Sequence, residues 1–464
     1  MKNMKSGINA LLLLSGILVQ NTFAQKAPTL RELIDSALVN DHHFENKQLE
    51  IESSRIDQQR LKDAYLPKID ISGKGGFLSS SFDLATPGIA IPQLHVGIPA
   101  DENRYTLSSG VATANANASV LIYSGGKVPN LKKAVGQKVQ AQTVMLEKDR
   151  QEIISQMLTA YDQLALLREV RLVLEESGKR LAENKRMADK AFSYGLITAY
   201  EQKKIDLAQA QLNSKIKEYE GKRSLLLMQL HTLTTIDTTR LALLDADLQV
   251  YKTTETGTTV ANRPELSALE SAIKANQFKV KAATSWWKPK VLASTSVGYL
   301  GLLNGHLSSR DPMMISGQRL SQNFSNINLF PVFNIGVGFK WDIFDGREGV
   351  HEVQKAKIEL RMAENDKKEA EEKLNLNLQK ATMEYTIANE QLLVKHTARE
   401  LARNAMKQAN QEFKEGLIRS TQLLEAETDL QNASLEYAQA IFNQRRAASE
   451  LLRATGSLSA TSFQ

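Results

Sequence analysis

The groups in this 464-residue chain best suited to chemistry are dispersed, without the spacing that chemistry needs. Gly73-Lys74-Gly75-Gly76 could cradle a phosphate through its amides, yet it lacks the Walker spacing and sits in a strand-like run. Seven histidines could bind metal or move protons, but none forms a His-x-x-x-His or His-Glu-x-x-His pair, and His42-His43 reads as helix surface. The absence of cysteine removes disulfides, thiolate metal sites, cysteine nucleophiles and a lipid-anchored cysteine. No Gly-x-Ser-x-Gly elbow occurs. Glu147, Asp149 and Glu152 share a helical stretch with lysine and arginine, the pattern of exposed ion pairs. No catalytic constellation, cofactor site or metal site is expected, and the chain is not expected to be an enzyme. A formal charge of +6 at this size is no nucleic-acid footprint.

With chemistry set aside, the elements carry the information. Lys2 and Lys5 precede an apolar run from Ile8 to Val19, followed by small residues up to Ala24, so residues 1–24 read as a secretory signal peptide. The run is shorter than the roughly 20 residues a membrane helix needs. No later stretch is comparably apolar. If the mature chain crosses a membrane, strands must do it, because only helices and closed barrels satisfy their backbone in lipid.

The mature chain is a tandem duplication. Ile122-Tyr123-Ser124-Gly125 matches Ile343-Phe344-Asp345-Gly346, and Phe192 with Gly195-Leu196-Ile197 matches Phe413 with Gly416-Leu417-Ile418, every pair 221 positions apart. Asn40, Ile51 and Pro67-Lys68 match Asn262, Ile273 and Pro289-Lys290 at 222. A period this long means two copies of one large unit, over 25–240 and 262–464 with a connector at 241–261, and not a solenoid.

Each copy reads as helix, strand, loop, strand, long helix, turn and returning helix. Apolar residues alternate in steps of four and three at Leu374, Leu378, Ala381, Tyr385, Ala388 and Leu392, and again at Ile153, Met157, Ala160, Leu164 and Leu167, a coiled-coil seam. Returning helices carry it at Ile205, Leu212 and Tyr219 and at Leu423, Leu430 and Tyr437. Helices of about 127–193 and 348–414 would be roughly 100 Å long. The first helix is expected over 29–64, opened by a Thr29/Glu32 capping box.

Strands are expected at about 68–78, 105–121, 290–301 and 332–343, each alternating apolar with polar or small residues, as a lipid-facing barrel with a wet lumen requires. A soluble half-buried sheet has the same period. Tyr123, Trp286, Trp287, Trp341 and Phe344 stand at helix–strand junctions, where a membrane-interface girdle belongs. The joins at 79–103 and 302–331 read as long external loops. Four strands cannot close a membrane barrel; three copies would supply twelve.

At this point the sequence resembles the TolC family of outer-membrane efflux and secretion channels. The resemblance covers essentially the whole mature chain and rests on the duplicated order, on Asn262-Arg263-Pro264-Glu265-Leu266, on the Pro67 and Pro289 strand entries and on the Gly-Leu turns. It implies an α+β membrane protein, mostly helical, whose homotrimer shares one 12-stranded barrel in the outer-membrane lipid of a Gram-negative bacterium. Long antiparallel coiled-coil hairpins continue the barrel as a periplasmic tunnel. The tunnel tip would meet a periplasmic adaptor coupled to an inner-membrane pump of RND, ABC or MFS type. The resemblance puts Tyr194-Gly195-Leu196-Ile197-Thr198 and Glu415-Gly416-Leu417-Ile418 at that tip. It puts Glu201, Arg419, Gln422 and Glu425 at the entrance, with Glu425 as an acidic ring and Arg419 paired to Glu201. Tyr194 and Glu415 stand where many members have valine. Two rivals remain: a periplasmic adaptor and a structural coiled-coil protein of the envelope.

Overall fold

A computed structural model describes residues 26–464 except 92–95, 99, 253–258, 314–315, 461, 463 and 464. The expected signal peptide lies outside the described residues. Helix α1 (Leu30–Asn40) starts at Thr29, whose hydroxyl accepts the Glu32 amide at 3.2 Å. The single helix expected over 29–64 is two, because Asp41 leaves the helical conformation (ψ 105°) and its carboxylate accepts the Phe44 amide at 2.7 Å, capping α2 (His42–Asp63).

The long helices obey the repeat. Helices α3 (Lys127–Ser193) and α7 (Glu348–Lys414) have 67 residues each. Their returning partners α4 (Ala199–Thr234) and α8 (Ser420–Thr455) have 36 each. Two shorter helices, α5 (Thr238–Ala242) and α6 (Pro264–Ala283), follow the first hairpin. No described helix is long and apolar enough to cross a membrane.

The strands run further than the composition suggests. They are β1 (Lys68–Thr86), β4 (Asp101–Tyr123), β5 (Lys290–Ser309) and β6 (Ser321–Lys340), with a small hairpin of β2 (Ile89–Ile91) and β3 (Val96–Ile98) between the first two. Much of the two expected loops is therefore ladder: Ser79, Ser80 and Ser81 pair with Ser108, Leu107 and Thr106. Serine and glycine runs dilute the alternation without removing the backbone pairing that defines a strand. At the other end β6 stops at Lys340, short of the expected residue 343.

The four long strands form one antiparallel sheet in the order β1-β4-β5-β6. The repeats meet in its middle, where β4 pairs with β5, and β1 and β6 are its edges. Both faces of β1 and of β6 are exposed nearly throughout.

The chain divides into two compact units, each using both repeats. One holds the sheet with residues 47–145 and 265–371. There Trp341 donates its indole N–H to the Trp287 carbonyl at 2.7 Å, and the Trp286 ring lies so close against Gly349 that a Cβ would not fit there. The other unit comprises 146–264, 372–464 and the described residues up to Asn46. Leu33 and Ile34 of α1, Met157 of α3, Leu230 of α4 and Leu241 of α5 are almost fully buried together there. Each such side chain contributes on the order of 1.5–3 kcal/mol by leaving water. The expected seams are observed: Leu174 and Leu181 pack on Ile205 and Leu212, and Met406 and Ala409 on Leu423 and Leu430.

Candidate functional site

Both reversals between long and returning helices are built alike, because the same residues recur 221 positions apart. At the first, Gly195 takes φ +70°, the Leu196 amide donates to the Ala191 carbonyl at 2.8 Å and the Gly195 amide to Phe192 at 2.9 Å. At the second, Gly416 takes φ +75°, Leu417 donates to Glu412 at 2.8 Å and Gly416 to Phe413 at 3.1 Å. This is the Schellman closure, in which a left-handed residue lets two amides satisfy the last carbonyls of the helix. Only glycine takes that conformation without a Cβ penalty.

The returning helices are started by side chains from the expected entrance set. The Thr198 hydroxyl accepts the Glu201 amide at 3.3 Å, and the Glu201 carboxylate accepts the Thr198 amide at 2.9 Å, a reciprocal capping box. In the second copy Arg419 and Gln422 occupy those places. Arginine has no acceptor to offer, so half the box forms: the Gln422 side-chain oxygen accepts the Arg419 amide at 3.0 Å. The expected Arg419–Glu201 pair is not present within the chain. Glu201 is engaged by its own cap, and Arg419 makes no ion pair among the described residues. Glu425, one turn further, is exposed.

The two turns flank one cleft of about 1180 Å³, lined by Leu196, Thr198, Glu201, Phe413, Leu417 and Arg419 among others. Its outer lip is apolar yet solvated: Tyr194, Leu196 and Leu417 are 77, 75 and 70% exposed. Glu415 is exposed beside them, and Ile197 and Ile418 are half-buried. Of the proposed girdle, Tyr123, Trp287, Trp341 and Phe344 are exposed, whereas Trp286 is partly covered by Gly349.

Sequence reasoning missed a polar cluster that joins the two hairpins. Arg180 of α3 grips Glu427 of α8 with two bonds of 2.7 and 3.1 Å. Ser177 donates to Glu427 at 2.5 Å, Gln431 donates to Ser177 at 2.9 Å, and Lys215 of α4 donates to Gln431 at 2.5 Å. Burial alone would lower the Arg180 pKa, but its bonds to Glu427 and Glu176 outweigh it and hold it above the usual value. Nearer the α8 C-terminus a second pair, Arg445–Asp162 at 2.8 Å, is buried on both sides. Burial pushes the Asp162 carboxyl up, opposed by Arg445. The available signal was the i,i+4 spacing of Glu427 and Gln431 facing Ser177 and Arg180, which reads as an ordinary solvated face.

Two long hairpins, two capped reversals and a four-stranded sheet with free edges are the parts of one repeated unit. The sequence matches the outer membrane efflux protein family over residues 33–239 and 257–457, one match per repeat, and the chain belongs to that family. No curated protein matches it. Among solved structures it is similar to CusC (TM-score 0.71, 15% identity, 95% of each chain). It is also similar to CmeC of Campylobacter jejuni (0.67, 16%, 93% of this chain and 86% of that one) and to the open state of MtrE of Neisseria gonorrhoeae (0.66, 16%, 95% and 92%). At such identities the likeness is one of fold. The chain is thus an outer-membrane efflux channel, an exit duct whose work is conduction.

Proposed function

We propose that three copies of this chain close one 12-stranded barrel in the outer membrane and continue it as a helical tunnel through the periplasm. The observation that carries this is the sheet: both faces of its edge strands are exposed, and those edges, of 19 and 20 residues, have no strand partner among the described residues. Such edges are stable only when paired, and lipid admits no open edge. Joining β6 of one copy to β1 of the next satisfies every strand. Residues 1–24 direct export, 25–240 and 262–464 are the repeats, and 241–261 connects them.

The tip residues Tyr194 to Thr198 and Glu415 to Ile418 dock a periplasmic adaptor, which delivers cargo from an inner-membrane pump of RND, ABC or MFS type. Exposed leucine and tyrosine on a rigid reversal suit a helical partner. Around the entrance, three Glu425 carboxylates focus negative potential and favour cations, while Glu201 and Gln422 hold the helix starts that position them. Tyr123, Trp286, Trp287, Trp341 and Phe344 mark the interface on the periplasmic side of the outer membrane.

The test is purification in detergent followed by gel migration with and without heating, and by planar-bilayer recording. A heat-sensitive trimer and stepwise currents are expected. A water-soluble monomer without pore activity would overturn the reading in favour of a periplasmic adaptor or envelope coiled coil.

A further inference from the structure

The side-chain alternation of the sheet reverses face half-way along the strands. Register between β1 and β4 is unbroken from Lys68↔Ser119 to Thr86↔Asp101, so residues paired across it share a face throughout. From the helical end to Phe77, one face carries Ile69, Ile71, Phe77 and the alanines 112, 114, 116 and 118; the other carries Asp70, Ser72, Lys74, Asn115 and Asn117. Strand β6 agrees, with Phe333, Ile335, Val337 and Phe339 on the first face, against Asn334, Gly336 and Gly338 on the second. This stretch of β1 is about 30 Å long at the strand rise, one bilayer core. In the barrel the apolar face meets lipid and the polar face meets the bore.

Beyond Phe77 the assignment inverts. The face continuous with the lipid side now carries Ser79, Ser81, Thr106 and Ser108, and an Asp83–Arg104 ion pair of 2.6 Å. The face continuous with the bore turns apolar at the level of Gly76, where Val111, Leu302 and Ile327 pair across the strands, and beyond Phe77 it carries Leu78, Leu107 and Phe82, with Phe82 stacked on Tyr105 at 5.7 Å between ring centroids. Leu303, level with Phe77 beside a β-bulge, is the outermost leucine of β5 on the lipid side. The change falls near two register shifts, at Gly298/Leu300 against β6 and at Ser108/Gly110 against β5. Bulges bend strands and raise local twist.

Past the membrane the outer wall faces water and is polar, as it should be. The bore face has no such excuse for leucine and phenylalanine: three copies of this set around an open aqueous mouth would leave a large apolar surface wet. We propose that the outer end of the barrel is a second constriction of the channel, formed where the inward apolar sets of three copies of this chain approach one another, with the bulges supplying the bend. The occupant of each apolar face is the same face of the other copies, continuous with the barrel they share. A duct with an apolar outer end resists hydrated ions when idle and yields to cargo pushed from below. The inference rests on the trimeric-barrel reading and fails separately from it.

The test uses the full chain, whose lack of cysteine permits single replacements. Leu78→Cys and Ser79→Cys trimers are recorded in planar bilayers with a charged, membrane-impermeant methanethiosulfonate. Current is expected to change at Leu78→Cys and not at Ser79→Cys. The double variant Leu78→Asn/Leu107→Asn should raise single-channel conductance about twofold or more. A response confined to Ser79→Cys would show the faces to be reversed, and an unchanged conductance in the double variant would remove the constriction. If conductance is unchanged while N-phenyl-1-naphthylamine binds the native trimer better than the variant, the set holds apolar cargo and the proposal is overturned. Absence of any pore from the native chain would remove the channel reading and this inference with it.

Discussion

Arg180 and Glu427 lie 247 residues apart, on different hairpins, and form a two-pronged ion pair with Glu427 only 6% exposed. The pair locks the long helix of the first copy to the returning helix of the second inside one chain. Removing one partner of a buried pair leaves the other charge without compensation, a larger loss than the pair's net worth. Arg180→Ala should therefore destabilise the chain by about 2–4 kcal/mol, because Glu427 retains only Ser177. Glu427→Ala should cost less, since Arg180 is 27% exposed and can reach water. Thermal midpoints of the two variants decide it; equal, small shifts would show the clasp to be energetically idle. Because the clasp joins the hairpins near their reversals, both variants should also raise single-channel conductance.

At the reversals, stability and docking should separate. Leu196→Ala and Leu417→Ala remove exposed side chains and should change stability by no more than about 0.5 kcal/mol. Gly195→Ala meets no neighbouring atom, yet forces a Cβ onto φ +70° and should cost about 1 kcal/mol. Adaptor crosslinking from the tip should fall in the leucine variants while their melting curves stay native. Undiminished capture would move the docking surface elsewhere.

Acid should loosen the first hairpin near its reversal. Lys185 donates to Asp206 at 2.5 Å, and this bond, then that from Lys203, hold the Asp206 carboxyl below its usual range. A depressed carboxyl stabilises above its unfolded pKa of about 4, and the contribution is lost as pH falls through the folded value. Asp162 has the opposite sign. Its raised carboxyl favours the folded state at low pH, and that advantage is lost as pH rises through its folded value. Hydrogen exchange, corrected for intrinsic rates, should therefore quicken around 185–206 between pH 7 and pH 3 sooner than around Asp162. Asp206→Asn should flatten the response; an unaltered pH profile in that variant would assign it to another group.

The sequence was most informative where one residue type had one physical use. Gly195 and Gly416 announced the reversals because left-handed closure needs them, and the three-four seams announced the hairpins. It was less informative where several backbones suit the same residues. Asp41 ends a helix only because its carboxylate caps the next one. Ser79 to Ser81 hid the outer half of β1, since a serine run is as common in loops as in wet strands. Gln422, expected at the entrance, also caps a helix start as the counterpart of Glu201, which an amide does as well as a carboxylate. Arg180 and Glu427 were invisible because burial of a charge depends on a partner hundreds of residues away.

In the proposed trimer, the repeat predicts where the copies meet. On α3, Asp162, Leu166 and Arg180 face α8. Their counterparts 221 positions on are Met383, Ile387 and Leu401 of α7, which with Leu376 and Val394 make an exposed stripe at heptad spacing; Met383 and Leu401 are 65 and 71% exposed. The helix that corresponds to α8 is α4, whose Asp206 and Ser224 replace Glu427 and Arg445. Packing α7 of one copy on α4 of the next would repeat the contact already made within the chain, with Met383 and Leu401 where α3 carries Asp162 and Arg180. Met383→Asp/Leu401→Asp should leave the single chain helical by circular dichroism, since both positions are solvated there. The trimer should disappear, because two carboxylates would be buried without a cation at each of three equivalent contacts. Trimers of native heat stability from this variant would show that the stripe faces solvent in the assembly and that the copies are joined by their strands alone.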